Sequence, residues 1–350
     1  MDAVLGTTSY DDIVQALNEA SAGKHFEEFK DINFLPEESG RRVITTGGHF
    51  GYLKIAEGCD KHCTYCIIPS LRGNFRSVPE ERLLAQAEYM ASQGVKELIL
   101  VAQETTVYGT DLYGKKTLHL LLRKLCQIKG IRWIRILYCY PEEIYDELIQ
   151  VMKEEKKICH YLDLPIQHCS DRILKRMGRR TSKAQLVEII TKLRKEIPDI
   201  VLRTSLITGF PGETEEDHQE LMEFVDEMEF DRLGVFTYSP EEDTPAATMK
   251  DQIPEELKEE RRDEIMELQQ EISLDKGNQR IGQEMLVMIE GKVSGESAYI
   301  GRTYMDAPKV DGYMFVQTGE LMVTGDFAKV RVTGALEYDL IGELTDEYTE

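Results

Sequence analysis

The 350-residue sequence predicts an α/β fold: about six strand–helix units whose parallel sheet closes, fully or in part, into a barrel, followed by a small antiparallel β-barrel. Three observations carry this expectation. Apolar, β-rich runs alternate with amphipathic stretches of helical period from Gly51 to Tyr238. A long charged stretch with a sparse apolar stripe then breaks the alternation. Beyond Ile281 come short apolar runs separated by Gly-containing turns.

Residues 1–30 read as a short strand (AVLGT) and a helix from about Tyr10 to Ala20, too little to bury a core alone. Residues 31–48, with Pro36, Gly40, Gly47 and Gly48, read as a linker. Strands are expected at 52–56, 97–102, 131–138, 160–166, 201–207 and 232–238, with helices at 79–93, 117–128, 141–155, 182–196 and 214–229. Pro79 suits a first helical position, and Thr214-Glu-Glu-Asp217 resembles a capping box. Alternation of this kind gives right-handed crossovers, with chemistry gathered at the C-terminal ends of the strands. The core thus spans 49–253, a connecting helix 254–279, and the small barrel 280–345.

Composition narrows the function. Apolar residues make up 41% of the chain, enough for a sizeable core. No run of eighteen apolar residues occurs and the N-terminus lacks a signal-peptide pattern, so a soluble, cytoplasmic protein without membrane contact is expected. The formal net charge is −22, which argues against a phosphate-gripping surface and suits a basic protein partner; an acidic surface also simply favours solubility. Seven cysteines, an odd number, make a disulfide framework a poor explanation.

Three of those cysteines lie in Gly58-Cys59-Asp-Lys-His-Cys63-Thr-Tyr65-Cys66, a C-x3-C-x2-C spacing directly after the first strand. An iron–sulfur cube takes four thiolates, so three on one tight loop leave one iron open. An open position on a metal is where substrate or cofactor binds. The amino and carboxylate groups of S-adenosylmethionine (SAM) can chelate that iron, and the reduced cluster can cleave the sulfonium's bond to the 5′-carbon to give a hydrogen-abstracting radical. A zinc site or three ordinary buried cysteines are the alternatives; a zinc ribbon wants a second C-x2-C pair, which the chain lacks.

The segment GCDKHCTYC resembles the radical SAM signature. EGCDKHCTYCIIPSLRG (57–73), LPIQHCSDRILKRMGR (164–179), RTSLITGFPGET (203–214) and FTYSPEEDTPA (236–246) are similar to the methylthiotransferase branch of that family, and the C-terminal segment to a TRAM domain. The resemblance implies a partial (β/α)6 TIM-like core. It implies a [4Fe–4S] cluster on Cys59, Cys63 and Cys66, and SAM as cofactor. The stretch GRTYMDAPKVDG (301–312) resembles the RimO type, which modifies the β-carbon of an aspartate in small-subunit ribosomal protein twelve. From Gly282 to Glu343 five Lys/Arg face ten Asp/Glu, a segment charge of −5 that suits a basic ribosomal protein better than tRNA. A tRNA methylthiotransferase, or a non-catalytic fragment that docks onto the ribosome, are the competing readings.

Further site residues follow from position. Tyr65, beside the last cysteine, is a candidate to stack on adenine, or else simply packs. Gln103 and Glu104, ending the second strand, sit where the family contacts the SAM amino group, or else are a polar pair capping the strand. Arg203 suits the SAM carboxylate, or else neutralises a buried acid. Gly209 and Gly212 let backbone approach the adenosine, or serve turn chemistry. Gln167 and His168 end the fourth strand, where a lone histidine is more often structural than catalytic. No catalytic residue is assigned. Cys126 and Cys159 read as inert, and Cys139 and Cys169 share no close spacing. The resemblance also implies an N-terminal domain with three more cysteines for a second [4Fe–4S] cluster. None precedes Cys59, so the chain reads as a fragment, residues 1–30 being the tail of that domain, able to cleave SAM but not to complete methylthiolation. An electron donor such as flavodoxin or ferredoxin is implied.

Overall fold

The computed structural model describes residues 1–35 and 43–349; Pro36 and Gly40 of the expected linker lie outside them. Six parallel strands form the central sheet in sequence order: β1 (Phe50–Lys54), β2 (Glu97–Val101), β3 (Trp133–Ile136), β4 (Ile158–Asp163), β5 (Val201–Thr208) and β6 (Arg232–Thr237). The sheet stays open between β6 and β1, so the barrel is partial. Helices α1 (Glu80–Ser92), α2 (Leu118–Cys126), α3 (Asp146–Glu154), α4 (Lys183–Glu196) and α5 (Glu215–Met228) make the crossovers. Each buries one apolar stripe, Leu118, Leu121, Leu122 and Leu125 of α2 for instance, against the buried strand residues. Pro79 stands one residue ahead of α1, its ψ of 138° still extended. At α5 the Thr214 hydroxyl accepts from the Asp217 amide at 3.4 Å while the Asp217 carboxylate accepts from the Thr214 amide at 2.9 Å, the capping box that the sequence suggests.

Helix α6 (Glu255–Asn278) follows. It is bound to the core rather than free: Gln269 Nε2 donates to the Phe230 carbonyl at 2.9 Å and Lys258 Nζ to the Tyr238 carbonyl at 2.8 Å. The last five strands, β7 (Glu284–Lys292), β8 (Ala298–Arg302), β9 (Met314–Gln317), β10 (Phe327–Ala335) and β11 (Leu340–Thr349), close into a barrel in the order β7-β8-β9-β11-β10. One pair, β9 with β11, runs parallel, against the antiparallel expectation. The reason is arithmetic: five strands on a ring cannot alternate direction all the way round, so at least one neighbouring pair must agree.

The two units share a core in which Phe50, Trp133, Tyr161 and Val201 pack with barrel residues such as Met288, Met305 and Phe327. Across this seam Glu97 of β2 is enclosed by two guanidiniums. Its Oε1 accepts from Arg135 Nε at 2.8 Å and its Oε2 from Arg302 Nη2 at 2.7 Å, all three side chains being fully buried. At the N-terminus a two-stranded parallel sheet (Ala3–Leu5 with Phe26–Glu28) flanks a helix, Ile13–Ser21. Among the described residues no helix is long and apolar enough to cross a membrane.

Candidate active site

The cysteine loop leaves the sheet through Gly58, whose φ of +77° belongs to the left-handed region. A Cβ there would collide with the Asn74 carbonyl, so glycine is required both by conformation and by space. Cys59 and Cys63 are buried and Cys66 half-buried. Burial pushes the Cys59 thiol up to about 11 and raises Cys66 as well. Among the described residues no three His, Cys, Asp or Glu side chains converge on one point as a single metal ion demands. Three thiolates on one loop are the donor set that a [4Fe–4S] cluster with one open iron calls for.

A cavity of about 420 Å³ adjoins the loop, lined by Cys59, Cys66, Ile68, Gln103, Tyr138 and Tyr140 among others. A second, of about 460 Å³, lies over the strand ends. Tyr65, Gln103, Tyr161, Asp163, Gln167, Arg203, Ser205 and Phe236 line it, with Ala307 and Val310 from the β-barrel. Gln103, Tyr138 and Tyr140 belong to both walls. Each volume is of small-ligand size.

The expected residues fall into three groups. Tyr65 and Gln103 face the cavities; Tyr65 packs edge-on to Phe210, and the buried Gln103 Oε1 has no hydrogen-bond partner. That orphaned acceptor suits an ammonium or amide donor on a ligand. Arg203 also lines the second cavity, yet it is already paired. Its Nη1 donates to Asp163 Oδ1 at 2.7 Å and its Nε lies 3.4 Å from Asp311 Oδ1, so it neutralises two buried carboxylates while lining the cavity.

Glu104 is buried behind the wall, accepting from the Thr106 amide at 3.0 Å with Lys61 Nζ 3.7 Å away. Burial pushes its carboxyl up to about 7, and Oε2 has no hydrogen-bond partner. Gly209 and Gly212 have φ of +68° and +80° but line neither cavity: their missing side chains would meet Lys258 and Arg176. His168 is buried, its Nδ1 accepting from the amides of Cys169 (3.0 Å) and Ser170 (2.9 Å) at the start of the short helix Asp171–Arg176. Burial holds it down to about 3, an uncharged structural cap.

Sequence reasoning missed Tyr138, Tyr140, Asp163 and Asp311. Tyr138 sits at φ +58°, a strained setting for an aromatic, with its amide held by Asp163 Oδ2 at 3.1 Å. The Asp311 carboxylate accepts from the Tyr161 hydroxyl at 2.7 Å and from the Ala307 amide at 2.8 Å. A signal for Asp311 did exist: it lies within the 301–312 stretch singled out by resemblance.

Comparison with known proteins follows this geometry. Residues 53–225 match the radical SAM superfamily and residues 281–345 the TRAM domain. The chain is 64% identical over 342 residues to the ribosomal protein uS12 methylthiotransferase RimO of Lachnoclostridium phytofermentans, covering 98% of this chain and 78% of that protein. The chain belongs to the RimO family of radical SAM methylthiotransferases. It is 51% identical to the RimO of Clostridium perfringens, over 99% of this chain and 78% of that one. A solved radical SAM methyltransferase, TsrM of Kitasatospora setae, overlaps with a TM-score of 0.48 at 15% identity, over 57% of this chain and 38% of the other. Membership accounts for a parallel sheet and a closed five-stranded barrel in one chain.

Proposed function

We propose that this chain cleaves SAM and positions ribosomal protein uS12 for methylthiolation at the β-carbon of an aspartate. The observation that carries the reading is the junction of the cavities: cysteines face one, strand-end and barrel residues line the other, and Gln103, Tyr138 and Tyr140 stand between. Cys59, Cys63 and Cys66 would hold the [4Fe–4S] cluster, which when bound supplies the electron for cleavage of SAM. The chain's own groups do the rest. The bare Gln103 Oε1 receives the cofactor's amino group, and Tyr65 offers a ring face for its base. Arg203, fixed by Asp163 and Asp311, presents a guanidinium that cannot swing away. Ala307 and Val310 add apolar surface from the β-barrel to the substrate side.

The net charge of −5 from Gly282 to Glu343 favours a basic protein substrate over tRNA. We further propose that these 350 residues alone stop at SAM cleavage. Cys126, Cys139, Cys159 and Cys169, the remaining cysteines, are buried and share no close spacing. A small one-electron carrier of the flavodoxin or ferredoxin kind would serve as donor.

The test is anaerobic reconstitution with iron and sulfide, followed by iron counting and assay of 5′-deoxyadenosine. The expected result is about four irons per chain and SAM cleavage. Both should vanish in Cys63→Ala while the far-ultraviolet circular dichroism is retained. Zinc in place of iron would overturn the reading, as would tRNA binding preferred over a uS12 peptide. Methylthiolated aspartate formed by these residues alone would sink the restriction to cleavage.

A further inference from the structure

Two phenols bear on Cys63: Tyr140 Oη lies 3.7 Å from its Sγ, and the Tyr65 hydroxyl also interacts with it. A thiolate bound to iron carries no proton, so within the Tyr140 pair the phenol must be the donor. Tyr140 follows β3 and stands in the walls of both cavities. Two cations bear on its ring, Lys61 Nζ at 4.8 Å and Arg179 Cζ at 4.2 Å from the centroid. Lys61 lies on the cysteine loop itself and is tied to Glu143. Arg179 is buried, its Nη2 donating to the Pro165 carbonyl at 3.0 Å and its Nε left without a partner. Neither cation can leave easily, and a buried guanidinium stays charged.

Resting on the reading that Cys59, Cys63 and Cys66 hold a [4Fe–4S] cluster, we propose that Tyr140 is a positioning residue that raises the cluster's reduction potential by donating a hydrogen bond to the Cys63 sulfur. Reduction adds one negative charge that spreads onto the sulfurs. A donor aimed at sulfur therefore binds the reduced form more tightly than the oxidised one, and hydrogen bonds to sulfur are a recognised lever on cluster potential. Lys61 and Arg179 act in the same direction through space, and they hold the ring where its hydroxyl reaches the sulfur. Tyr140 is thus placed to ease electron entry without touching iron.

The experiment compares the full chain with Tyr140→Phe, which keeps the ring and removes only the oxygen. Both are reconstituted and titrated with reductant in the absence of SAM, with reduced cluster read by electron paramagnetic resonance. The variant is expected to keep its full iron and lose about tenfold in the reduction equilibrium, a midpoint about 59 mV more negative. A deuterium-exchangeable proton coupled to the reduced cluster should disappear from the pulsed spectrum of the variant. An unchanged midpoint at full iron overturns the proposal. Loss of iron from the variant also overturns it, since Tyr140 would then serve assembly. Absence of a four-iron cluster from the unsubstituted chain would sink the underlying reading instead.

Discussion

Replacing Glu97 by Gln tests the seam between the two units. The substitution keeps the side chain's size but removes the charge that faces Arg135 at 2.8 Å and Arg302 at 2.7 Å, in a place no water reaches. Both guanidiniums would remain buried, Arg302 keeping Glu290 at 2.6 Å and Arg135 keeping the Tyr304 carbonyl at 2.6 Å. Breaking a buried pair by removing one partner costs about 3–5 kcal/mol, a large share of the roughly 5–15 kcal/mol that a folded domain commands. With a urea slope of about 3 kcal/mol per molar, the midpoint should fall by about 1–1.7 M. Burial alone would raise the Glu97 pKa, but Arg302 and Arg135 more than reverse it, leaving the folded value below the ordinary 4.5. The sign follows from that depression. The contribution is present above the unfolded pKa and is lost as pH falls through the folded one, so Glu97→Gln should also lose part of the acid limb of the stability curve. Equilibrium urea unfolding at pH 7 and pH 4 measures both effects. A midpoint within about 0.3 M of the parent, with the acid limb intact, would refute the reasoning.

Two further outcomes are expected. Gly58→Ala forces a side chain into a left-handed backbone facing the Asn74 carbonyl, at a cost of about 1–3 kcal/mol, and iron per chain should fall while the elution volume stays the same; full iron would refute it. For His168, held down to about 3 by burial, the unfolded state takes up the proton first. Stability from this group should therefore decline as pH drops from roughly 6.5 toward 3, and its ring resonances should not titrate between pH 8 and 5; a titration near 6.5 would contradict the buried setting.

Much of this architecture was legible in the chain itself. Runs such as ELILV at 97–101 and VLRTSLIT at 201–208 are buried strands because β-branched residues crowd between helical stretches, and the C-x3-C-x2-C loop stands out by spacing alone. What escaped has identifiable physical causes. Tyr138 and Gln167 take positive φ, which no local pattern announces for residues other than glycine. Tyr140 falls between the expected strand 131–138 and the expected helix 141–155, where no pattern marks it, yet it lines both cavities. Arg203 and Asp311 meet across more than a hundred residues, a pairing set only by how the barrel docks. The glycines at 209 and 212 show the converse: their conformation was foreseeable, but which neighbours they spare was not.

The contribution of Ala307 and Val310 to the second cavity bears on the order of events during protein synthesis. In chain order the cysteine loop comes early and the six sheet strands are complete by Thr237, yet Ala307 and Val310 arrive only with the segment after β8. Until then the chamber stands open on that side. Translation thus supplies the cysteine loop first and the β-barrel's share of the cavity wall last, so a chain still being made carries that loop well before the cavity is complete.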